Sequence, residues 1–234
     1  MGTVALPSPP VSDLGASYRQ ARESVAELIR SLSPDQLGRA VPACPDWTVH
    51  DVVAHMTGVA SDVITGRLTG IPSEFQTAAQ VANRAGTPTS VVLREWERSA
   101  SQLEALMAKG GRSNLPPVAD VVVHEQDIRG ALGLPGNRDT PLIDLVTAPV
   151  ARLWESKIDS AGLAPVVVMD GERVLYGSAE APVQMRTSRF EFFRAAYGRR
   201  SRAQIERRFS GTDDPGAYVD LLCVFGPAES DLVE

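Results

Sequence analysis

The sequence predicts an α+β protein: a four-helix bundle over residues 1–138, followed by a small α/β domain over 139–234. Two observations predict it. Before about residue 138, apolar side chains recur at the three-and-four spacing of amphipathic helices, in four long segments separated by Gly and Pro. After about residue 140, short β-branched runs flank an Asp-Gly pair, the pattern of a hairpin.

The first helix follows a Pro-rich lead (Pro7, Pro9, Pro10) and is marked by Leu14, Tyr18, Ala21, Val25, Leu28 and Leu32. The second is predicted to start near Thr48, which can cap it, with Asp51 at the capping-box position and Trp47 placed to staple onto Val52. Val52, His55, Met56, Val59 and Val63 then share one face, which turns His55 inward, while His50, Thr57 and Ser61 fall on a more polar side. From Gly66 to Thr89 a long connection is expected, with a short helix near Phe75 to Asn83. Val92, Trp96, Leu103, Leu106 and Met107 mark a third long helix stopped by Gly110-Gly111. A fourth opens at Pro116-Pro117 and runs through Val121, His124, Ile128 and Leu132 to Gly133. Beyond it, a helix is expected over Leu142 to Ser160. Strands follow at Val166-Val167-Val168, Val174-Leu175-Tyr176 and Val183 to Arg186, then a helix from Arg189 to Tyr197 and a last apolar stretch from Tyr218 to Phe225.

Composition narrows the function classes. Twenty-three basic against 29 acidic side chains give a formal charge of -6 with no unbroken basic face, which argues against nucleic acid as a partner. No apolar run approaches the roughly 18 residues of a membrane span, and the first residues lack the pattern of a secretory signal, so no membrane association and a cytoplasmic location are expected. Cys44 and Cys223 are too few and too distant to form a disulfide framework and are read as reduced structural thiols. No histidine is recognisable beside Cys44, so no catalytic nucleophile is assigned. Composition does not decide the oligomeric state.

The chemistry concentrates in the bundle. Asp120 and His124 stand four residues apart, on one face of the fourth helix. If the second and fourth helices are neighbours, inward-facing His55 completes a set of two histidines and one carboxylate, as bundle metal sites are built. Three such ligands leave a coordination position open, the arrangement of a catalytic metal. The ligand types admit zinc, and equally non-haem iron. Asp120 also suits the start of a helix through its dipole, and an inward histidine also serves as an ordinary hydrogen-bonded core residue. Asp127, three residues past His124, is placed to orient that histidine from behind or to be solvated.

Two stretches carry a resemblance. Val41-Pro42-Ala43-Cys44-Pro45-Asp46-Trp47-Thr48-Val49-His50-Asp51-Val52-Val53-Ala54-His55-Met56-Thr57-Gly58 resembles the N-terminal metal-binding motif of the mycothiol-dependent maleylpyruvate isomerase family, a branch of the DinB-like four-helix bundles. Val121-Val122-Val123-His124-Glu125-Gln126-Asp127 is similar to that family's fourth-helix motif. There a carboxylate four residues before the histidine completes the site, usually Glu where this chain has Asp120. Phe192-Phe193-Arg194-Ala195-Ala196-Tyr197-Gly198-Arg199-Arg200-Ser201-Arg202-Ala203-Gln204 and Phe225-Gly226-Pro227 are similar to its C-terminal segment. The resemblance implies a DinB-like bundle, a C-terminal domain resembling sterol carrier folds, a bound divalent ion of the zinc type, and mycothiol as thiol cofactor. It places His55, Asp120 and His124 on the metal.

The expected function is a metal-dependent thiol transferase or isomerase acting on a small electrophilic substrate. Alternatives are a non-catalytic metal-containing protein that binds a small molecule, and a non-haem iron oxygenase. Arg199 and Arg200 are candidates for holding a substrate carboxylate or helping to stabilise an enolate, because guanidinium presents a planar fork to such groups. Both also fit plain surface charge after a glycine turn.

Overall fold

The computed structural model describes residues 13–109 and 115–234. The Pro-rich lead and the Gly110-Gly111 stop signal lie outside the described residues. The chain divides into two compact units between Gly136 and Asn137.

The first unit is helical. α1 (Leu14–Arg30) and α2 (Pro34–Leu37) lead into α3 (Val49–Ile64), α4 (Glu74–Ala82), α5 (Thr89–Lys109) and α6 (Leu115–Leu132). α1, α3, α5 and α6 are the four long members. α3 packs against α4, α5 and α6, and α1 against α5 and α6. The α1–α5 contact is pinned by Glu104, which accepts from Arg19 at 2.7 Å and from Arg22 at 3.3 Å. Deeper in the core, Trp96 Nε1 donates to the Tyr18 hydroxyl at 2.7 Å.

α3 starts where its capping box predicts: Thr48 accepts from the Asp51 amide while the Asp51 side chain accepts from the Thr48 amide. One expectation fails on this helix. Thr57, assigned to a polar side, is fully buried, because every residue from Val52 to Ala60 is enclosed by neighbouring helices. Gly58 allows α4 that close: a Cβ there would meet Cβ and Cγ of Gln80 at 2.5 Å. On α5 the apolar pattern overreaches at Leu106, which is 48% exposed. α6 starts at Leu115, so Asp120 lies in its second turn, past the residues that a helix dipole serves best.

The second unit holds α7 (Pro141–Ser160), β1 (Val166–Asp170), β2 (Arg173–Tyr176), β3 (Val183–Arg186), α8 (Arg189–Ala196), α9 (Arg202–Glu206), β4 (Phe209–Ser210) and α10 (Pro215–Leu222). The strands form a sheet of order β2-β1-β3-β4, with β1 and β3 parallel and the other pairs antiparallel. The expected hairpin forms, and its register pairs Asp170 with Arg173, so the turn residues are Gly171-Glu172. Gly171 takes φ 60°, as the first position of a tight hairpin turn demands. α9 and β4 are too short to show a periodicity in sequence. Trp154 anchors this core, donating to the Tyr218 carbonyl at 2.9 Å and packing on Phe192 with ring centroids 5.8 Å apart. Among the described residues no helix is long and apolar enough to cross a membrane.

Two substitutions test this account by chemical denaturation. Gly58→Ala should destabilise the protein by about 1–3 kcal/mol, because the added methyl has nowhere to go against Gln80. Thr48→Ala should cost about 1 kcal/mol through loss of the cap.

Candidate metal centre

Three donors converge inside the helical unit. His55 from α3 is 3% exposed and sends Nε2 to within 3.3 Å of Asp120 Oδ1 on α6. His124, one turn along α6, sends its own Nε2 to 3.6 Å from the same oxygen. The aspartate therefore reaches the histidine set despite being a methylene shorter than glutamate. Tetrahedral bonds of roughly 2.0–2.1 Å would put neighbouring donors roughly 3.3–3.4 Å apart, close to these separations.

The hydrogen bonds behind the donors bear on whether a cation fits. His124 Nδ1 lies 2.9 Å from Asp127 Oδ2, and Asp127 is 1% exposed. A buried carboxylate accepts a hydrogen bond here from Nδ1, which leaves Nε2 as the nitrogen turned toward the site. It faces the Asp120 oxygen. A proton or a metal cation between that nitrogen and the Asp120 oxygen would satisfy both, and the spacing of the three donors suits the cation. The residues present thus fit a divalent ion, with the Asp127 carboxylate on the nitrogen of His124 that faces away from it.

The wall of the site comes from the loop before α3. This loop is closed by an antiparallel bridge between Ala40 and Thr48, by Val41 N donating to Trp47 O at 2.8 Å, and by Val49 N donating to Arg39 O at 3.0 Å. Asp46 takes φ 69° at its tip, a conformation that Asp tolerates better than most residues. So held, the Trp47 indole lies with its centroid 5.0 Å from that of His55 and 6.2 Å from that of His124. Cys44 is buried in the same loop. Its Sγ lies 3.4 Å from Asp127 Oδ2 and 3.7 Å from His124 Nδ1, so the structure brings to this thiol a histidine that is 80 residues away in sequence.

Tyr18, on α1, is a further neighbour that sequence reading did not single out. Burial, countered by the hydrogen bond from Trp96 and reinforced by the charge of Asp120, pushes its hydroxyl well above the ordinary tyrosine range. Its regular place in the α1 repeat conceals this, since nothing local separates it from an ordinary core tyrosine.

The other predicted residues sit in the second unit. Arg200 is buried and gives its fork to Glu191, through Nε to Oε2 at 2.8 Å and Nη2 to Oε1 at 2.6 Å. Arg199 donates to the Tyr197 carbonyl at 2.7 Å. Cys223 donates to the Ala195 carbonyl at 3.3 Å, and burial pushes its thiol up to about 11. Both cysteines are buried, and neither is in a disulfide.

With this geometry in view, comparison with known proteins is informative. Residues 18–114 match the family described as the mycothiol maleylpyruvate isomerase N-terminal domain. That match takes in most of the helical unit, His55 included, and ends before Asp120 and His124. The chain also shares its fold with the crystal structure of a mycothiol-dependent maleylpyruvate isomerase, at 15% identity and a TM-score of 0.52 over 81% of this chain and 90% of that one. A histidine-to-alanine mutant of the same enzyme matches over the same shares, at 14% identity and the same TM-score. No curated protein sequence matches the chain. The α+β architecture expected from sequence is the observed one.

The Glu191–Arg200 pair yields a pH prediction. The hydrogen bonds from Arg200, opposed by burial and aided by the charges of Arg200, Arg208 and Arg194, hold the Glu191 carboxyl below the ordinary glutamate range. A folded-state value below the unfolded one contributes stability that is complete above the ordinary glutamate range and lost as pH falls through the folded value. Urea midpoints measured down through that acidic window should therefore drop in the wild type. In Glu191→Gln they should drop less steeply, from a lower neutral-pH value.

Proposed function

We propose that the chain is a metal-dependent thiol transferase or isomerase that uses mycothiol and acts on a small electrophilic substrate. The observation that carries this reading is the convergence of His55, Asp120 and His124, supported by the match of residues 18–114, which hold His55, to the mycothiol maleylpyruvate isomerase N-terminal domain. Two imidazoles and one carboxylate occupy three positions of a tetrahedral ion and leave one for a ligand. When bound, a divalent ion such as zinc would supply Lewis acidity at that position and favour the thiolate form of a thiol cofactor there at neutral pH.

The chain's own residues arrange the rest. Asp127 holds the proton on Nδ1 of His124 and so presents Nε2 to the site. Trp47 covers the two imidazoles on one side and excludes water there, while burial keeps the Tyr18 hydroxyl protonated near Asp120. In the second unit, Arg199 and Arg200 are the residues proposed to hold a substrate carboxylate or to help stabilise an enolate. Arg200 would have to exchange its bonds to Glu191 for that purpose, and Arg199 its bond to the Tyr197 carbonyl. A thiolate attack that ends in departure of the thiol gives isomerisation of an activated double bond, and one that leaves the thiol attached gives transfer. Both outcomes need the same site.

Metal analysis of the purified chain is expected to give one divalent ion per chain. Each of His55→Ala and His124→Ala should weaken its binding by more than the roughly 100-fold upper end seen for partners behind a ligand. Full metal content in either variant would defeat the assignment. Mycothiol with maleylpyruvate or a bimane electrophile should then show metal-dependent turnover. Stoichiometric metal without thiol chemistry would point instead to a small-molecule binding protein, and iron-dependent oxygen uptake to an oxygenase. Asp120→Ala should lose metal as well, and retention would remove the carboxylate from the ligand set.

A further inference from the structure

We propose that Cys44 is a positioning residue for the metal centre: its thiol donates to the carboxylate of Asp127 and thereby fixes the orientation in which His124 presents Nε2. This rests on the metal reading above and extends it to a residue behind the donors.

The geometry argues for a donor role. Asp127 Oδ2 is the oxygen approached both by His124 Nδ1, at 2.9 Å, and by Cys44 Sγ, at 3.4 Å. All three side chains are buried, Asp127 at 1%, His124 at 7% and Cys44 at 8% exposure. A carboxylate so enclosed needs donors, and a thiol is a weak but real one. The bond between His124 and Asp127 spans three residues of one helix, so by itself it ties the two only to each other. Cys44 comes from the closed loop before α3 and therefore links that pair to the element that also carries His55. A small rotation of the Asp127 carboxylate would swing the imidazole and displace Nε2, and a metal site is sensitive to displacements well below 1 Å.

Two other roles for Cys44 fit less well. A nucleophilic thiol needs a base with a free lone pair, oriented by an acid on its far nitrogen. Here Asp127 occupies the same nitrogen, Nδ1, that faces the sulfur, so His124 is not poised as a base toward Cys44. The alternative that Cys44, His124 and Asp127 themselves hold an ion is geometrically open, since their donor atoms lie within 4.8 Å of one another. It would require His124 to give up the Nδ1 proton that the 2.9 Å contact with Asp127 retains.

The test is Co²⁺ titration of the metal-free full-length protein, wild type and variants, read by the cobalt visible bands, with thermal melts recorded in parallel. Asp127→Asn should weaken Co²⁺ binding roughly 10- to 100-fold, the usual effect of removing a direct partner of a ligand. Cys44→Val, which keeps apolar volume without a donor, should weaken it several-fold, with Cys44→Ala alike. Cys44→Ser, which restores a donor, should recover most of the loss even if its melting temperature falls. Wild-type affinity in Cys44→Val would overturn the proposal, and so would a serine variant as weak as the alanine one. A sulfur-to-cobalt charge-transfer band in the wild type would make Cys44 a ligand and overturn it differently. Failure of the wild type to bind Co²⁺, or undiminished binding by His55→Ala, would instead sink the metal reading and this inference with it.

Discussion

Four consecutive polar side chains, His124, Glu125, Gln126 and Asp127, are buried on α6, and the design of the helical unit follows from that constraint. Successive residues of a helix project about 100° apart, so four in a row point to all sides and cannot share one polar face. Each must find its own partner, because an unpaired buried polar group costs about 1–3 kcal/mol and a charged one more. The partners are distributed around the helix. Glu125 accepts from Ser24 on α1 at 2.8 Å and from Arg129 at 2.9 Å, Gln126 donates to the Gly136 carbonyl at 3.1 Å, and His124 and Asp127 meet each other. Of these bonds the one from Ser24 ties α6 to α1, and Cys44 ties Asp127 to the loop before α3. Asp120 and His124 face α3 and His55.

A hydrophobic helix of the same length would pack with less specificity, since apolar contacts tolerate small rotations and hydrogen bonds do not. The polar cluster therefore serves two ends at once. It ties α6 to α1 through Ser24 and Glu125, and it holds one imidazole against a buried carboxylate. The same reasoning explains why Trp96 and Tyr18 bond to each other in the core: a large aromatic with a polar atom can be buried only where that atom has a partner.

How much of this could be read from sequence depends on whether the cause is local. The start of α3 was legible, because a capping box is a pattern of neighbouring residues, and from it the inward phase of His55 followed. Asp120 and His124 were legible as a pair because four residues is one turn. Thr57 and Leu106 were misread because periodicity says which face is apolar and not how many neighbours enclose the helix. α3 is covered nearly all round, whereas Leu106 protrudes. The hairpin was legible from its Asp-Gly pair, which marks a turn without choosing between two adjacent registers. Cys44 was read as an inert thiol because its meaning lies in side chains 80 residues downstream, although its place eleven residues ahead of His55 in the same motif was a signal of proximity.

The loop between α2 and α3 shows how one short segment can couple folding to chemistry. Its bridge from Ala40 to Thr48 holds the residue that caps α3, so the backbone that begins the helix and the backbone that carries Cys44 and Trp47 are one closed unit. A disturbance of the cap would move the indole and the thiol together with His55, and would leave His124 where α6 holds it. The two halves of the centre thus have separate supports. The hydrogen bond from Cys44 to Asp127 and the packing of Trp47 across both imidazoles join them. An ion held by donors from both halves would add a third link, and would stabilise the folded unit by the difference between its affinity for the assembled site and for the unfolded chain.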